Sequence, residues 1–326
     1  MVKLAVIGPG KIAEHHIQAL KFFDFNVVGC ISRKDSSSNI QFMKNLGKDE
    51  SEYFTDIEYM INNPQDWDAA LISCPTSNQL EYLSRLAPTN KPILIEKPVS
   101  FLSSDLENLR GYKNIMVGFN RRHYSNISQI KSFMQTKTNV FVKVVIPESS
   151  VYKNEYINSS NNFPAGVYEN SIHIFDLINY IFGDVEWVSA LTSSKEYSYF
   201  TSAEGAIANN SHMSLDVLIN APENFSISVY LKDEKVELKP IEILSFYKGF
   251  EVIEPSSVLP LRSYNPCLKS QLFEETQMNC KPGFYEQARV FASLCKGKKD
   301  LNFPSIEDAR KALSSIESIV NIMRTI

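Results

Sequence analysis

The chain has 326 residues, 44% hydrophobic and 21% charged, a globular composition too long for one ordinary core, so two domains are expected. A formal charge of −4 leaves no surplus of cations to neutralise a phosphate backbone, which argues against nucleic acid as a partner. No apolar run reaches the ~20 residues of a membrane span, and five cysteines without a C-x-x-C pair suit free thiols and no metal site.

Leu4-Ala5-Val6-Ile7 is a short apolar run of the kind that forms a strand buried on both faces. It leads into Gly8-Pro9-Gly10-Lys11-Ile12-Ala13, which fits the dinucleotide-binding pattern G-x-G-x-x-G/A, and then into a helical pattern through Ile12, His16, Ala19 and Leu20. In that pattern Gly8 permits a tight turn, Gly10 lets the backbone approach a pyrophosphate, and Ala13 lets helix lie close on strand. The bare N–H groups of Lys11 and Ile12 at the helix start then face the anion. A nucleotide cofactor is expected here. The apolar run is too short for a signal-peptide core, so a cytoplasmic location is expected too.

Val27 to Ile31 reads as a second buried strand, ending in Ser32-Arg33-Lys34. An NAD site usually places an acid about 20 residues past the glycines, where it takes the ribose hydroxyls. Ser32 and Arg33 can instead bind a 2′-phosphate by charge-assisted hydrogen bonds, so NADP is favoured over NAD. Alternatively, Arg33 and Lys34 decorate a solvated turn, and Asp35 serves the ribose.

Helices are predicted over Gln41–Leu46 and Asp56–Asn62, with a loop at Pro64–Asp68. Ala69 to Ser73 reads as a fourth strand, ending on the polar turn Cys74-Pro75-Thr76-Ser77-Asn78. Ligands bind at the carboxyl ends of strands in open α/β sheets, which makes Cys74, Pro75 and Asn78 cofactor candidates. A helix over Gln79–Leu86 follows, then a strand Pro92–Ile95 that ends on Glu96-Lys97-Pro98. A Glu and a Lys at the end of a buried strand do not serve core packing. They form either a ligand-facing rim or a surface ion pair.

With this turn reached, the sequence resembles the glucose–fructose oxidoreductase / inositol dehydrogenase (Gfo/Idh/MocA) family. The matching stretches are Gly8–Ala13, Ile95-Glu96-Lys97-Pro98, Val117-Gly118-Phe119-Asn120-Arg121-Arg122, and Glu169-Asn170-Ser171-His173-Asp176 with the intervening residues. The resemblance implies an α/β protein. A Rossmann doubly wound parallel sheet over 1–120 would precede a C-terminal α+β domain over 121–326 with a large, mostly antiparallel sheet. The C-terminal helices can pack back on the first domain. It also implies hydride transfer between NAD(P) and a sugar, polyol or nucleotide-linked sugar. Lys97 is the family's active-site lysine. Glu96 and Lys97 would lie at the cofactor, and Lys97, Arg122, Glu169, Asn170 and His173 at the substrate. Two departures bear on substrate identity. Gln79 stands where the family often has His, and Glu169 where it usually has Asp. An NAD-assisted glycosidase and a catalytically silent cofactor-binding regulator are the other readings of such a chain.

Beyond Asn120, a helix over Asn126–Met134 and a strand over Asn139–Ile146 are predicted. Ser149 to Pro164 is polar and aromatic, either a substrate loop or a long connection. Gly166 to Phe182 reads as one helix with Ile174, Leu177, Ile178, Ile181 and Phe182 inward. On it, Glu169, His173 and Asp176 would share an edge suited to a general base and its orienting carboxylates. Strands are predicted at 185–193, 211–219, 225–232 and 235–240, with one or two more in 243–253. Glu254 to Pro282 gives no assignment. Amphipathic helices follow at 283–295 and 304–324, the latter capped by Ser305. A homo-oligomer, dimer or tetramer, is expected by analogy.

Overall fold

Apolar side chains on both faces make β1 (Val2–Ile7) a central strand, and Leu4 to Ile7 are exposed by 1% or less. It pairs in parallel with β2 (Phe25–Ile31) on one side and β3 (Ala69–Ile72) on the other. Then come β4 (Ile93–Ile95) and β5 (Ile115–Val117), giving the order β2-β1-β3-β4-β5. The computed structural model describes residues 1–32, 41–42, 44–47, 56–149, 165–193, 200–298 and 303–325. Among these, the strand at 69–72 is the third in chain order, where the sequence suggested a fourth. The chain runs from β1 to β2 in one direction and to β3 in the other. The β1/β3 edge is therefore the switch point at which such sheets bind ligands.

Helices of this part include α1 (Lys11–Leu20), α2 (Ile57–Asn62, capped by Asp56), α3 (Thr76–Leu86) and α7 (Phe284–Cys295). Ala13 and Ile17 of α1 and Ala288 and Phe291 of α7 join Leu4, Val6, Leu71 and Leu94 in one core. The chain divides into two compact units, Met1–His123 with Glu275–Ser314 and Tyr124–Glu274 with Ser315–Ile326. Helix α8 (Ile306–Ile322) carries the division along its length. At its start, the Asp308 amide donates to Ser305 Oγ, while Ser305 N and Oγ both donate to the Asp308 carboxylate. That is a reciprocal cap of the kind expected from Ser305.

The second unit is built on a nine-stranded sheet, ordered β13-β12-β11-β10-β6-β9-β8-β7-β14. Its strands are β6 (Phe141–Glu148), β7 (Glu186–Thr192), β8 (Phe200–Ile207), β9 (Ser211–Ile219), β10 (Ser226–Tyr230), β11 (Glu234–Leu238), β12 (Ile243–Ile253), β13 (Ser263–Phe273) and β14 (Met323–Thr325). All pairings are antiparallel except β6–β9 and β7–β14. Period-two alternation sends Val142, Val144, Ile146, Met213, Leu215 and Val217 into a core where none is exposed. Helices α4 (Ser125–Met134) and α6 (Ile172–Phe182) pack on each other in this unit.

The structure corrects the sequence reading in three places. The stretch 254–282, left unassigned, holds the strand β13, and the stretch 200–207 forms β8. The helix expected over 166–182 is two helices, α5 (Ala165–Glu169) and α6, with Asn170 and Ser171 between them. The expected substrate loop, 149–164, lies outside the described residues apart from Ser149.

Candidate active site

The glycine turn begins where β1 ends. Gly8 has φ +81°, and a Cβ on it would sit 2.4 Å from the Cys74 nitrogen, so both its conformation and its neighbour demand glycine. The turn is tied down on both sides: Gly8 N donates to Ile31 O (3.0 Å), and Ser73 Oγ donates to Gly8 O (2.9 Å). Gly10 is different. Its backbone is extended, with φ −161°, and a Cβ there would meet no protein atom within 4 Å. Open space at Gly10 stands directly before α1, whose N-cap offers no side chain to the first-turn N–H groups of Lys11, Ile12 and Ala13. Free donors at the positive end of a helix, beside room left by a missing Cβ, fit a pyrophosphate.

Next along the sheet edge, β3 ends at Cys74-Pro75, and Pro75 opens α3. Burial pushes the Cys74 thiol up to about 11, so it stays protonated near neutral pH. Gln79, in the place where the resembled family often has His, is buried and donates to Cys74 O at 3.1 Å. Asn78 is exposed on the first turn of α3. Ser32 is half-buried just past β2, while Arg33 lies outside the described residues.

One strand further, β4 ends on Glu96-Lys97-Pro98, with a cis bond between Lys97 and Pro98. Glu96 is 7% exposed, and its carboxylate is engaged inside the unit: Oε1 lies 2.6 Å from His16 Nε2, and Oε2 accepts the Lys97 amide at 3.2 Å. Burial alone would raise the Glu96 pKa, but the hydrogen bond and charge of His16, together with Lys97, hold it below the usual carboxylate range. Of the two residues expected at the cofactor, Glu96 is thus turned inward. Lys97 is half-buried at the turn.

Arg122, expected at the substrate, is itself buried and makes an ion pair with the partly exposed Asp308 at 2.7 Å, both within the first unit. The pair follows from its place. It sits in a short helical turn, 120–123, whose Asn120 side chain donates to Pro282 O (3.0 Å), so this turn fastens the C-terminal segment to the nucleotide unit. Burial, then the cations Arg122 and Arg289, push His123 down to about 3, so its ring is neutral.

In the second unit, the break between α5 and α6 has a cause the local sequence hides. Asn170 N and Ser171 N both donate to Gly166 O, at 2.7 and 3.0 Å. Glu148, at the end of β6 and 5% exposed, accepts from Ser171 Oγ, Asn170 Nδ2 (3.3 Å) and Ser149 N (2.9 Å). A Cβ on Gly166 would lie 2.6 Å from the Glu148 carboxyl carbon, so a larger residue there would have to push that carboxyl group aside. Glu148 was missed because nothing adjacent in sequence marks it. His173 and Asp176 share the buried first turns of α6, while half-buried Glu169 and Asn170 precede the helix. His173 and Asp176 thus both lie on α6, whereas Glu169 ends α5. Within the first unit, the structure brings Gly8, Gly10, Cys74, Pro75 and Lys97 to one edge of the sheet. Within the second, Glu148 holds Asn170 and Ser171 at the helix break, with Glu169 just before it and His173 just after it in sequence. Among the described residues no cluster of His, Cys, Asp or Glu could hold a metal, and no helix is long and apolar enough to cross a membrane.

A parallel sheet with an open glycine turn at its switch point defines a dinucleotide-binding unit. Residues 2–114 match the oxidoreductase family with an NAD-binding Rossmann fold (GFO_IDH_MocA). The chain is similar to a myo-inositol 2-dehydrogenase from Thermotoga maritima, 24% identical over 192 residues that cover 56% of this chain and 55% of that enzyme. The aligned stretches span about half the length of the curated relatives it matches. Two solved structures share the fold across the chain. One is an oxidoreductase from Agrobacterium radiobacter in complex with NAD+, L-tartaric acid and magnesium (TM-score 0.74, 16% identity, 98% of this chain and 96% of that one). The other is a levoglucosan dehydrogenase in complex with NADH and levoglucosan (TM-score 0.72, 15% identity, 98% and 96%). At these identities the likeness is one of fold alone.

Proposed function

We propose that the protein is an NAD(P)-dependent dehydrogenase that oxidises a CH–OH group of a sugar-like polyol, or reduces the matching ketone. The observation that carries this reading is the sheet edge of the first unit. There the open Gly10 turn and Lys97 stand at the carboxyl ends of β1 and β4, with only β3 between those strands. A bound nicotinamide supplies the hydride acceptor. The Lys97 ammonium is suited to stabilise negative charge developing on the reacting oxygen. His173 is assigned the hydroxyl proton, because imidazole titrates near neutral pH. Glu169 and Asn170 offer a carboxylate and an amide to substrate hydroxyls, and cyclitol and sugar oxidation by the similar proteins named above agrees with that.

Preference for NADP rests on Ser32 and Arg33 where an acid would mark NAD. Reaction in the cytoplasm and self-association complete the reading. Phe141, Tyr230 and Leu191 stand 40%, 39% and 43% exposed on the solvent face of the nine-stranded sheet and offer a self-association surface. A thermal-shift screen of NAD(H) and NADP(H) with a cyclitol, sugar and nucleotide-sugar panel tests the reading, since ligands of the native state raise its apparent stability. Stabilisation by a nicotinamide cofactor, and then hydride transfer from a panel member, is expected. No response to either cofactor would overturn it.

A further inference from the structure

His16 is on the inner face of α1, 3% exposed, and eighty residues from the carboxylate it meets. An ionised Glu96 accepts and cannot donate, so the proton of this 2.6 Å contact is on His16 Nε2. The other Glu96 oxygen takes the backbone N–H of Lys97. The contact is closed off on its remaining sides. Gly118, leaving β5, has no room for a Cβ, which would lie 3.0 Å from Glu96 Oε1, and Phe284 of α7 covers the His16 ring at 4.8 Å. Two ends of the nucleotide site thus share one buried linkage: the helix whose amino end faces the pyrophosphate, and the turn that carries Lys97.

We infer that His16, acting through Glu96, is a positioning residue for Lys97. The inference rests on the dehydrogenase reading for what Lys97 then does. The hydrogen-bonded carboxylate fixes the backbone at Lys97 and so limits where its amine can stand. Glu96 faces His16 from α1 and Lys97 from its own turn. Gly118 and Phe284, from β5 and α7, bring no charge. His15, next along α1, is held below the ordinary histidine range by burial and by Lys281, and so adds no charge near neutral pH. Without His16, burial would dominate at Glu96, and its carboxyl would take up a proton at higher pH.

Amide hydrogen exchange in the full chain tests the linkage without any substrate. His16→Ala should speed exchange at Lys97 by about tenfold or more, the scale of one hydrogen bond to a charged group, with Leu94 and Ile95 in the same strand unchanged. His16→Gln, which keeps a neutral donor of similar reach, should restore most of that protection. With NAD+ and myo-inositol as probes, His16→Ala should lower kcat by about tenfold and leave the KM for NAD+ unmoved. The acid limb of kcat should shift to higher pH in both variants, because a neutral amide does not hold the carboxylate ionised. Unchanged exchange at Lys97 in His16→Ala would overturn the inference, as would equal losses at Leu94 and Ile95. If the parent transfers no hydride from myo-inositol, that substrate reading falls, and the exchange result still decides the linkage by itself.

Discussion

Gly8 and Cys74 meet backbone to backbone: a Cβ on Gly8 would stand 2.4 Å from the Cys74 nitrogen and 2.5 Å from its Cα. Gly10, two residues on, has nothing within 4 Å of the same position. The two glycines of one motif therefore stand in different surroundings, Gly8 against the protein and Gly10 beside open space. Gly8→Ala should lower stability by at least ~2 kcal/mol, since left-handed backbone alone costs about 1–3 kcal/mol and Cys74 must also move. Gly10→Val should leave urea unfolding near the parent and abolish cofactor binding by calorimetry. Unchanged affinity in Gly10→Val would place the cofactor elsewhere.

The helix break in the second unit should depend on Gly166. An added methyl would press on the Glu148 carboxyl group, which takes Ser171 Oγ, Asn170 Nδ2 and Ser149 N. Gly166→Ala should cost roughly 1–3 kcal/mol, the range for overpacking a filled site. Denaturation checks the magnitude. A stability equal to the parent's would show that Glu148 moves aside freely.

Arg122 and Asp308 set an acid-range prediction. Burial would raise the Asp308 pKa, but the Arg122 charge and the Ser305 hydrogen bonds outweigh it and keep it low. A depressed carboxylate contributes stability above its unfolded pKa of ~3.9, and loses it as pH falls through the lower folded value. Arg122→Ala should therefore cost about 2–3 kcal/mol near neutral pH, less than the ~3–5 of a fully buried pair, because Asp308 retains some water contact. The gap between parent and variant should narrow below pH ~4. A constant gap across that range would show that the pair contributes through packing only.

The legible part of this chain was the part whose signals are local. Leu4–Ile7 and the glycines after it declare strand, turn and helix within a dozen residues, and β3 and β4 are apolar because both their faces are covered. β8 escaped notice because the inward residues before Ile207 are the small or polar Thr201, Ala203 and Gly205. Gly205 is kept small by Val185, whose Cγ1 would be 2.5 Å from a Cβ there. β13 shows no period at all, since nearly every side chain on it is exposed, and Pro266 is tolerable only on such an edge. The site was half legible for the same reason. The proposed site residues Lys97 and His173 each stand in a recognisable stretch, whereas Glu96 and Glu148 act on residues far from them in sequence. Glu96 meets a histidine eighty residues away, and Glu148 splits a helix that its own periodicity would have kept whole.

Cofactor preference should follow Arg33. Where an acid would repel a 2′-phosphate, Ser32 and Arg33 can bind one. Arg33→Ala should weaken NADP(H) by about 1.5–3 kcal/mol, the range for a hydrogen bond to a charged group, and leave NAD(H) nearly unchanged. Equal losses for both cofactors, or a parent that prefers NAD about tenfold, ~1.4 kcal/mol, would sink the assignment.

The chemistry should rest on Lys97 and His173. Oxidation of a carbinol removes a hydride from carbon and a proton from oxygen, so one residue must take the proton while another tolerates the passing negative charge. Imidazole is matched to the first task near neutral pH. A lysine ammonium on a turn fixed by Glu96 is matched to the second, because a preorganised cation needs little rearrangement as charge develops. Lys97→Ala and His173→Ala should each lower kcat by roughly 10²-fold or more, the general acid–base scale, with cofactor affinity kept. Glu169→Gln should cost less, and Glu169→Asp should alter the order of preferred polyols, because Glu169 ends α5 and is not on the His173 helix. Single-turnover transfer, followed at the nicotinamide absorbance, separates the chemical step from product release. Repeating it across pH separates the two roles: His173→Ala should lose the acid limb that a titrating base imposes, while Lys97→Ala should keep that limb at a lower plateau. Parent-like transfer by His173→Ala at every pH would make His173 a structural histidine of the α6 core, and Lys97 would then be left as the catalytic side chain.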